Sequence, residues 1–233
     1  MNSKFPNDKI VQKLETVLGQ NRIKQNELLT DHTILKREVT AQFYTEVDNS
    51  EELIHIVRTA QDLRLSYRVF GTGSKIIFAD ENTSGLVIKN NSRRFVIISR
   101  KGKIVSGKQQ ITETLVQADA GVNLNQLVRY TLDEGLEGLE YFLGIPGTLG
   151  GAMYNNITYP PKRLSIWSNV RAVRLLTENG EVKTYMDKID FFRRTKFLQN
   201  NNAVLISAIF TLLPNAKQVL WERGEEALEY RNG

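Results

Sequence analysis

The sequence predicts an α+β fold, and three patterns within its 233 residues predict it. Residues 42–75 read strand, helix, strand, glycine loop, a βαβ-like order. Residues 114–151 repeat the logic as strand, small-residue turn, helix, glycine-rich loop. Asn179-Gly180, set between alternating segments, marks an antiparallel hairpin. At 41% apolar and 24% charged the composition is ordinary for a globular chain, with room for one large domain or two small ones.

The first helix is predicted over residues 8–20, where Ile10, Val11, Leu14, Val17 and Leu18 form one stripe, Asp8 can cap and Gly19 can stop it. Gln42–Val47 reads as a strand. Asp48 and Glu51 make a capping-box pattern for the next helix, whose buried face is Leu53, Ile56, Val57, Ala60 and Leu63. His55 lies off that face and reads as a surface residue. Tyr67–Phe70 is a second strand and runs into Gly71-Thr72-Gly73-Ser74-Lys75, where α/β folds bind ligands. Ile76 takes the third glycine position of G-x-G-x-x-G and no helical pattern follows, which disfavours a Rossmann dinucleotide site. Strands follow around Gly85–Lys89, Phe95–Ser99 and Thr114–Ala118, the middle one ending at a basic turn, Arg100-Lys101-Gly102-Lys103. After the tight turn Asp119–Asn123, Asn123 can cap a helix with Leu124, Leu127, Val128 and Thr131 on one face, ending near Gly135.

Gly144-Ile145-Pro146-Gly147-Thr148-Leu149-Gly150-Gly151-Ala152, followed closely by Asn155 and Asn156, reads as a loop, because Gly is costly inside helices and strands and Pro lacks the amide proton. Its bare N–H groups suit close approach to a phosphate or a ring system. A tight turn needing positive φ has the same composition, and spacing alone does not choose between the two. Beyond it, Ser168–Leu176 and Val182–Tyr185 pair across Asn179-Gly180, Ala203–Leu213 is a late strand, and residues 215–232 are helical.

Composition removes several chemistries. With no cysteine there are no disulfides, thiolate-bound zinc, iron–sulfur clusters or cysteine nucleophiles, and with His32 and His55 the only histidines no metal site is expected. The amino terminus lacks a signal-type apolar region and no apolar run is long enough for a bilayer, so a cytoplasmic location without a membrane partner is expected. Lys89–Lys108 holds Lys89, Arg93, Arg94, Arg100, Lys101, Lys103 and Lys108 with no carboxylate, outweighing the chain's net charge of +5. Such a patch can attract nucleic acid or a phosphorylated ligand. Phe95 is its one aromatic residue, too few to stack bases, so a solvated hairpin is the favoured reading and nucleic acid is disfavoured.

Taken together, Gly71-Thr72-Gly73-Ser74, Ala120-Gly121, Gly135-Leu136-Glu137-Gly138-Leu139-Glu140 and above all Gly144–Ala152 with Asn156 resemble one family, the UDP-N-acetylenolpyruvoylglucosamine reductases, or UDP-N-acetylmuramate dehydrogenases, of peptidoglycan synthesis. The resemblance runs over roughly residues 22–213. It implies a p-cresol methylhydroxylase-type FAD-binding domain of two α/β subdomains, with residues 1–90 as the first, 91–213 as the second, and 214–233 as a C-terminal helix opening the substrate-domain region. It implies a flavoprotein oxidoreductase of cell wall biogenesis that takes electrons from NADPH through FAD to a sugar-nucleotide substrate. The cofactor-binding residues carried over are Gly71, Thr72, Gly73, Ser74, Gly121, Ile145, Pro146, Gly147, Thr148, Gly150, Gly151 and Asn156, with no metal. Asp190–Phe197 is similar to the family's Phe-Gly-Tyr-Arg-x-Ser-x-Phe, which places Arg193 on the arginine that binds the substrate carboxylate and stabilises developing enolate charge.

This sequence also departs from the family. Phe192 replaces the tyrosine, Lys75 stands where Asn is usual, Glu38-Val39 stand where Gly-Gly is expected after His32-Thr33, and Pro160-Pro161 interrupt the region after Asn156. The Gly-Ser-Phe-Phe-Lys-Asn-Pro-like segment with the family's serine proton donor is not found in these residues, nor is the late glutamate that assists it. Because a missing general acid costs ~10²–10⁴-fold in rate, the expectation is a chain that binds FAD and turns over poorly alone. A non-catalytic FAD-binding module is the second expectation.

Overall fold

In chain order the elements of the computed structural model are α1 (Asn7–Leu18), β1 (Lys24–Leu28), β2 (Thr40–Val47), α2 (Ser50–Asp62), β3 (Tyr67–Phe70), β4 (Asn82–Asn90), β5 (Phe95–Val105), β6 (Lys108–Asp119) and α3 (Leu124–Asp133). They continue with β7 (Leu136–Glu137), α4 (Leu149–Tyr154), β8 (Thr158–Tyr159), β9 (Leu164–Ser165), β10 (Val170–Leu176), β11 (Val182–Tyr185), β12 (Val204–Pro214) and α5 (Lys217–Asn232). The structure describes residues 6–34, 36–78, 81–106, 108–186, 198 and 203–233.

The strands form two main sheets. The first has four strands in the order β1-β2-β4-β3, with β4 parallel to both β2 and β3, so the predicted βαβ-like crossover through α2 leaves room for β4 between its two strands. The second has the order β11-β10-β12-β6-β5 with β7 added against β12, and every pairing in it is antiparallel. This mixture of a parallel crossover in one sheet and wholly antiparallel pairing in the other makes the fold α+β.

The apolar stripes of α1 and α2 account for their packing. Ile10, Leu14 and Leu18 meet Leu53, Ile56, Val57 and Ala60 over Phe43, Val47, Leu86 and Ile88 of the first sheet. Leu176, Val204 and Ile206 of the second sheet belong to the same cluster, so the sheets share a core. Polar contacts reinforce the join, since Arg58 Nε donates to Gly180 O at 2.7 Å and Gln61 Nε2 to Thr177 O at 3.0 Å. A second core packs α3, α4 and Leu220 of α5 against β6 and β12.

Four local expectations are corrected. Pro6, not Asp8, precedes α1, which still ends at Gly19 with φ of +95°. The box opening α2 sits one residue on, because Asn49 Oδ1 accepts from Glu52 N at 2.9 Å while Glu52 Oε2 accepts from Asp48 N at 3.1 Å. Arg100–Lys103 is no turn: β5 continues through it, and Gly102 sits at a bulge where a Cβ would lie 2.5 Å from Gln110 O. The Gly144–Ala152 stretch is irregular only to Thr148, and Leu149 opens α4. Thr148 caps that helix, with Oγ1 accepting from Gly151 N at 3.3 Å, and burial of Leu149, Ala152 and Met153 offsets a glycine cost of about 1 kcal/mol per residue.

Candidate functional site

The carboxyl end of β3 delivers Gly71–Lys75 onto the segment before α4, and glycines set the approach. A Cβ on Gly71 would lie 2.4 Å from the Thr148 side chain, and one on Gly147 would lie 3.0 Å from Ser74 Oγ. The two loops predicted separately therefore meet face to face. Each is fixed from behind. Gly73 has φ of +71° and sits against the Leu29–Thr33 segment, its carbonyl accepting from Ile34 N at 3.2 Å. The second loop is laced to the Asp119–Asn123 turn by Leu124 N to Gly147 O at 3.0 Å, Leu149 N to Val122 O at 2.8 Å and Gly150 N to Ala120 O at 2.7 Å. From α5, Arg231 donates to Tyr141 O and Leu143 O, and Leu228 packs where a side chain on Gly144 would lie.

Between the loops lies a cavity of about 940 Å³. Gly71, Thr72, Gly73 and Ser74 line one side and Ile145, Pro146, Gly147, Thr148, Gly150 and Gly151 the other, with Phe70, Tyr154, Ile157 and Leu205 among its walls. Among the described residues, the backbone N–H groups of Thr72, Gly73, Ser74, Lys75 and Gly147 find no acceptor. Unused donors on two glycine-rich loops that border an open space suit the oxygens of a pyrophosphate, and the cavity has room for a dinucleotide. The residues present thus fit FAD.

Two of the residues carried over by resemblance lie elsewhere. Gly121 does not line the cavity; its N–H donates to Ser92 Oγ at 3.2 Å, and a Cβ would stand 2.6 Å from Ser92 O, so its smallness lets the turn press on the residues after β4. Asn156 also lies off the main cavity. With φ of +47° it closes α4, and its Oδ1 accepts from Ser165 Oγ at 2.5 Å. Arg193, with the Asp190–Phe197 motif, falls outside the described residues. Conversely, Asn90 lines the cavity without having been singled out. It is buried at the end of β4, with Oδ1 accepting from Ser92 N at 3.0 Å, and the Asn90-Asn91-Ser92 run after a strand was its only signal.

A charged network backs the first loop. His32 Nε2 lies 3.1 Å from Glu27 Oε1 and Nδ1 lies 3.0 Å from the Tyr44 hydroxyl, which donates to Glu46 Oε1 at 2.7 Å. Burial, with Glu46 adding to it, pushes the Tyr44 hydroxyl far up. Burial alone would raise the Glu46 carboxyl, but hydrogen bonds from Tyr44 and Asn91 and the charge of Lys89 outweigh it and hold it below the usual carboxylate value. The basic stretch is less exposed electrostatically than its sequence suggests, because Lys89 pairs with Glu46 at 3.5 Å, Arg100 with Glu134 at 2.7 Å and Lys101 with Glu113 at 3.1 Å. Among the described residues no His, Asp or Glu group is arranged to hold a metal, and no helix is long and apolar enough to cross a membrane.

Facing glycine loops with idle amides, on a mixed two-sheet scaffold, define a dinucleotide-binding domain. Residues 41–185 match the family described as FAD binding domain, and the chain belongs to that family. Among curated proteins it is 32% identical to UDP-N-acetylenolpyruvoylglucosamine reductase of Lactobacillus johnsonii, over 91% of this chain and 65% of that protein. It is 28% identical to UDP-N-acetylenolpyruvoylglucosamine reductase 2 of Bacillus cereus, over 85% of this chain and 61% of the relative. The chain therefore spans slightly under two thirds of these relatives. In fold it superposes on UDP-N-acetylenolpyruvylglucosamine reductase from Thermus caldophilus with a TM-score of 0.64, at 22% identity over 91% of this chain and 70% of that one. p-Cresol methylhydroxylase superposes with a TM-score of 0.59, at 16% identity over 89% of this chain and 43% of the other, so the expected p-cresol methylhydroxylase-type architecture is present.

Proposed function

We propose that the chain holds FAD between Gly71–Lys75 and Gly144–Gly151 and serves the reduction of UDP-N-acetylenolpyruvoylglucosamine to UDP-N-acetylmuramate, with NADPH as the electron source. The observation that carries the cofactor reading is the pair of facing loops with unused amides. The names of the relatives support the substrate. FAD, when bound, supplies the hydride chemistry. The chain's own groups position it: the amides of Thr72, Gly73, Ser74 and Gly147 donate to pyrophosphate oxygens, and Ile145 and Pro146 offer apolar contact beside them. Phe70, Ile157 and Leu205 keep water from the enclosed face, while Gly121 and Asn156 act indirectly by holding Asp119–Asn123 and α4 in place. In this reading residues 1–90 and 91–213 are the two subdomains clasping the cofactor, 214–233 opens the substrate-domain region, and Arg193 receives the substrate carboxylate.

Purified protein is expected to carry, or take up, FAD to near-stoichiometric absorbance, and to form UDP-N-acetylmuramate when given NADPH and the enolpyruvyl sugar nucleotide. A colourless preparation that ignores added FAD would sink the proposal. Flavin uptake and reduction without product would leave a flavin-binding module as the reading of this chain.

A further inference from the structure

Asn90 closes β4 beside the roots of both glycine loops. Lys89 pairs with Phe70, so Asn90 stands level with Gly71, where the first loop begins. A Cβ on Gly121 would lie 2.8 Å from the Asn90 carbonyl oxygen, and the same turn anchors the second loop, Ala120 O accepting from Gly150 N at 2.7 Å. At this junction Asn90 lines the main cavity while only 5% exposed.

Half of this side chain is committed. Its Oδ1 accepts from Ser92 N at 3.0 Å, closing a turn of the kind asparagine and aspartate both make. Only the oxygen can accept from that N–H, so the amide is held with Nδ2 on the other side. Nδ2 makes no hydrogen bond among the described residues, and it is not one of the unpartnered side-chain atoms sealed from solvent, so the space that reaches it is the cavity. Asn91 differs, because its Nδ2 donates to Glu46 Oε2 at 2.5 Å in the charged network behind the first loop. The turn needs the acceptor alone, which leaves the NH2 group of Asn90 surplus to it. Once a ligand displaces water from the cavity, that group must bond to the ligand or be stranded at the cost of its hydration.

We propose that Asn90 is a cofactor-positioning residue whose Nδ2 donates to an acceptor atom of FAD where the cofactor passes between the two loops. The proposal rests on the FAD reading and adds to the backbone amides a side-chain donor from the end of β4.

The test titrates flavin-stripped protein with FAD by fluorescence and records its thermal melt without flavin. Asn90→Asp keeps the acceptor for Ser92 N and replaces the donor with a carboxylate oxygen. It is expected to bind FAD about 100-fold more weakly than wild type at about pH 8, and to regain most of the loss at about pH 5.5, because a protonated carboxyl donates again. A purely structural Asn90 would show neither a loss of affinity with an unchanged flavin-free melt nor its reversal by acid. Asn90→Ser, whose hydroxyl can still accept from Ser92 N but is too short to replace the amide donor, is expected to lose about 10-fold at both pH values; it decides the question if Asn90→Asp melts early. Titrations with ADP and FMN locate the contact, on the adenosine side of the pyrophosphate if ADP carries the loss and on the ribityl side if FMN does, and either supports the proposal. Variants that bind FAD as wild type does, or that lose affinity only together with a lowered flavin-free melt and without relief by acid, overturn it and leave the FAD reading standing. Wild-type protein that takes up no FAD overturns both.

Discussion

At Gly73 a methyl group would have to stand 2.2 Å from the His32 carbonyl oxygen, on a backbone with φ of +71°. Both the left-handed conformation and the collision with backbone rather than a pliable side chain oppose any L-residue there. Gly73→Ala is therefore expected to cost roughly 2 kcal/mol or more in urea unfolding and to lower flavin occupancy; an unchanged unfolding midpoint would show that Leu29–Thr33 yields instead. The carboxylates behind this loop give it an acid limit. Glu27 and Glu46 are each raised by burial, yet both end below the ordinary 4.5, the first through Lys24 and His32, the second through Tyr44, Asn91 and Lys89. A depressed carboxyl contributes stability that is present above its unfolded value and is lost as pH falls through its folded one. Melting temperature should therefore decline as pH drops below about 4.5, and Glu46→Gln should flatten that decline; a variant with an undiminished slope would assign the acid sensitivity elsewhere.

Among the elements, α5 props the segment that leads into α4. Gly224 packs on Leu143, Arg231 holds the carbonyls of Tyr141 and Leu143, and Arg223 answers Glu137 and Glu140, the latter 1% exposed. Arg223→Met keeps the apolar stem but leaves the buried Glu140 carboxylate with the Gly138 N–H, which donates to it at 2.6 Å, as its remaining partner nearby. A loss of about 1–3 kcal/mol is expected by denaturant unfolding, and Arg223→Met with Glu140→Gln should recover part of it; no recovery would mean that the loss does not come from the stranded Glu140 carboxylate. The same scale shows what the sequence could disclose. Helices with a full apolar stripe, such as α2 and α3, were legible because burial writes a period into their side chains. The strand β1 was not, since Lys24-Gln25-Asn26-Glu27-Leu28 is polar and lies at a sheet edge, held through its pairing to β2 rather than by an apolar face. Glycine was read as a turn at Gly102 and as a loop at Gly150 and Gly151, where it serves a bulge and a helix; the same residue type meets two different backbone needs, and only the neighbours across the sheet or beneath the helix decide between them.

For the molecule as a whole, the shared core through Leu176, Val204 and Ile206 means that the sheets, and hence the two glycine loops, cannot part without exposing apolar surface. Each loop was visible in the sequence as composition; their meeting, Gly71 against Thr148 and Ser74 against Gly147, was not, because it depends on how the sheets stack rather than on local spacing. A ligand bound between them should stabilise the entire fold. FAD at 100 times its dissociation constant adds about 2.7 kcal/mol, which for a domain of this size raises the melting temperature by roughly 5–10 °C; a melt unmoved by saturating FAD would show that the folded chain does not bind it. Trp167 adds an optical consequence. Its indole is 5% exposed and donates to Met153 O at 3.0 Å, on the helix that Thr148 caps at the cavity wall. Tryptophan emission overlaps the absorption of an oxidised isoalloxazine, so excitation energy from this ring would drain into a flavin seated there. The protein carries its own light-based gauge of cofactor occupancy, and Trp167→Phe should remove the corresponding share of the quenching.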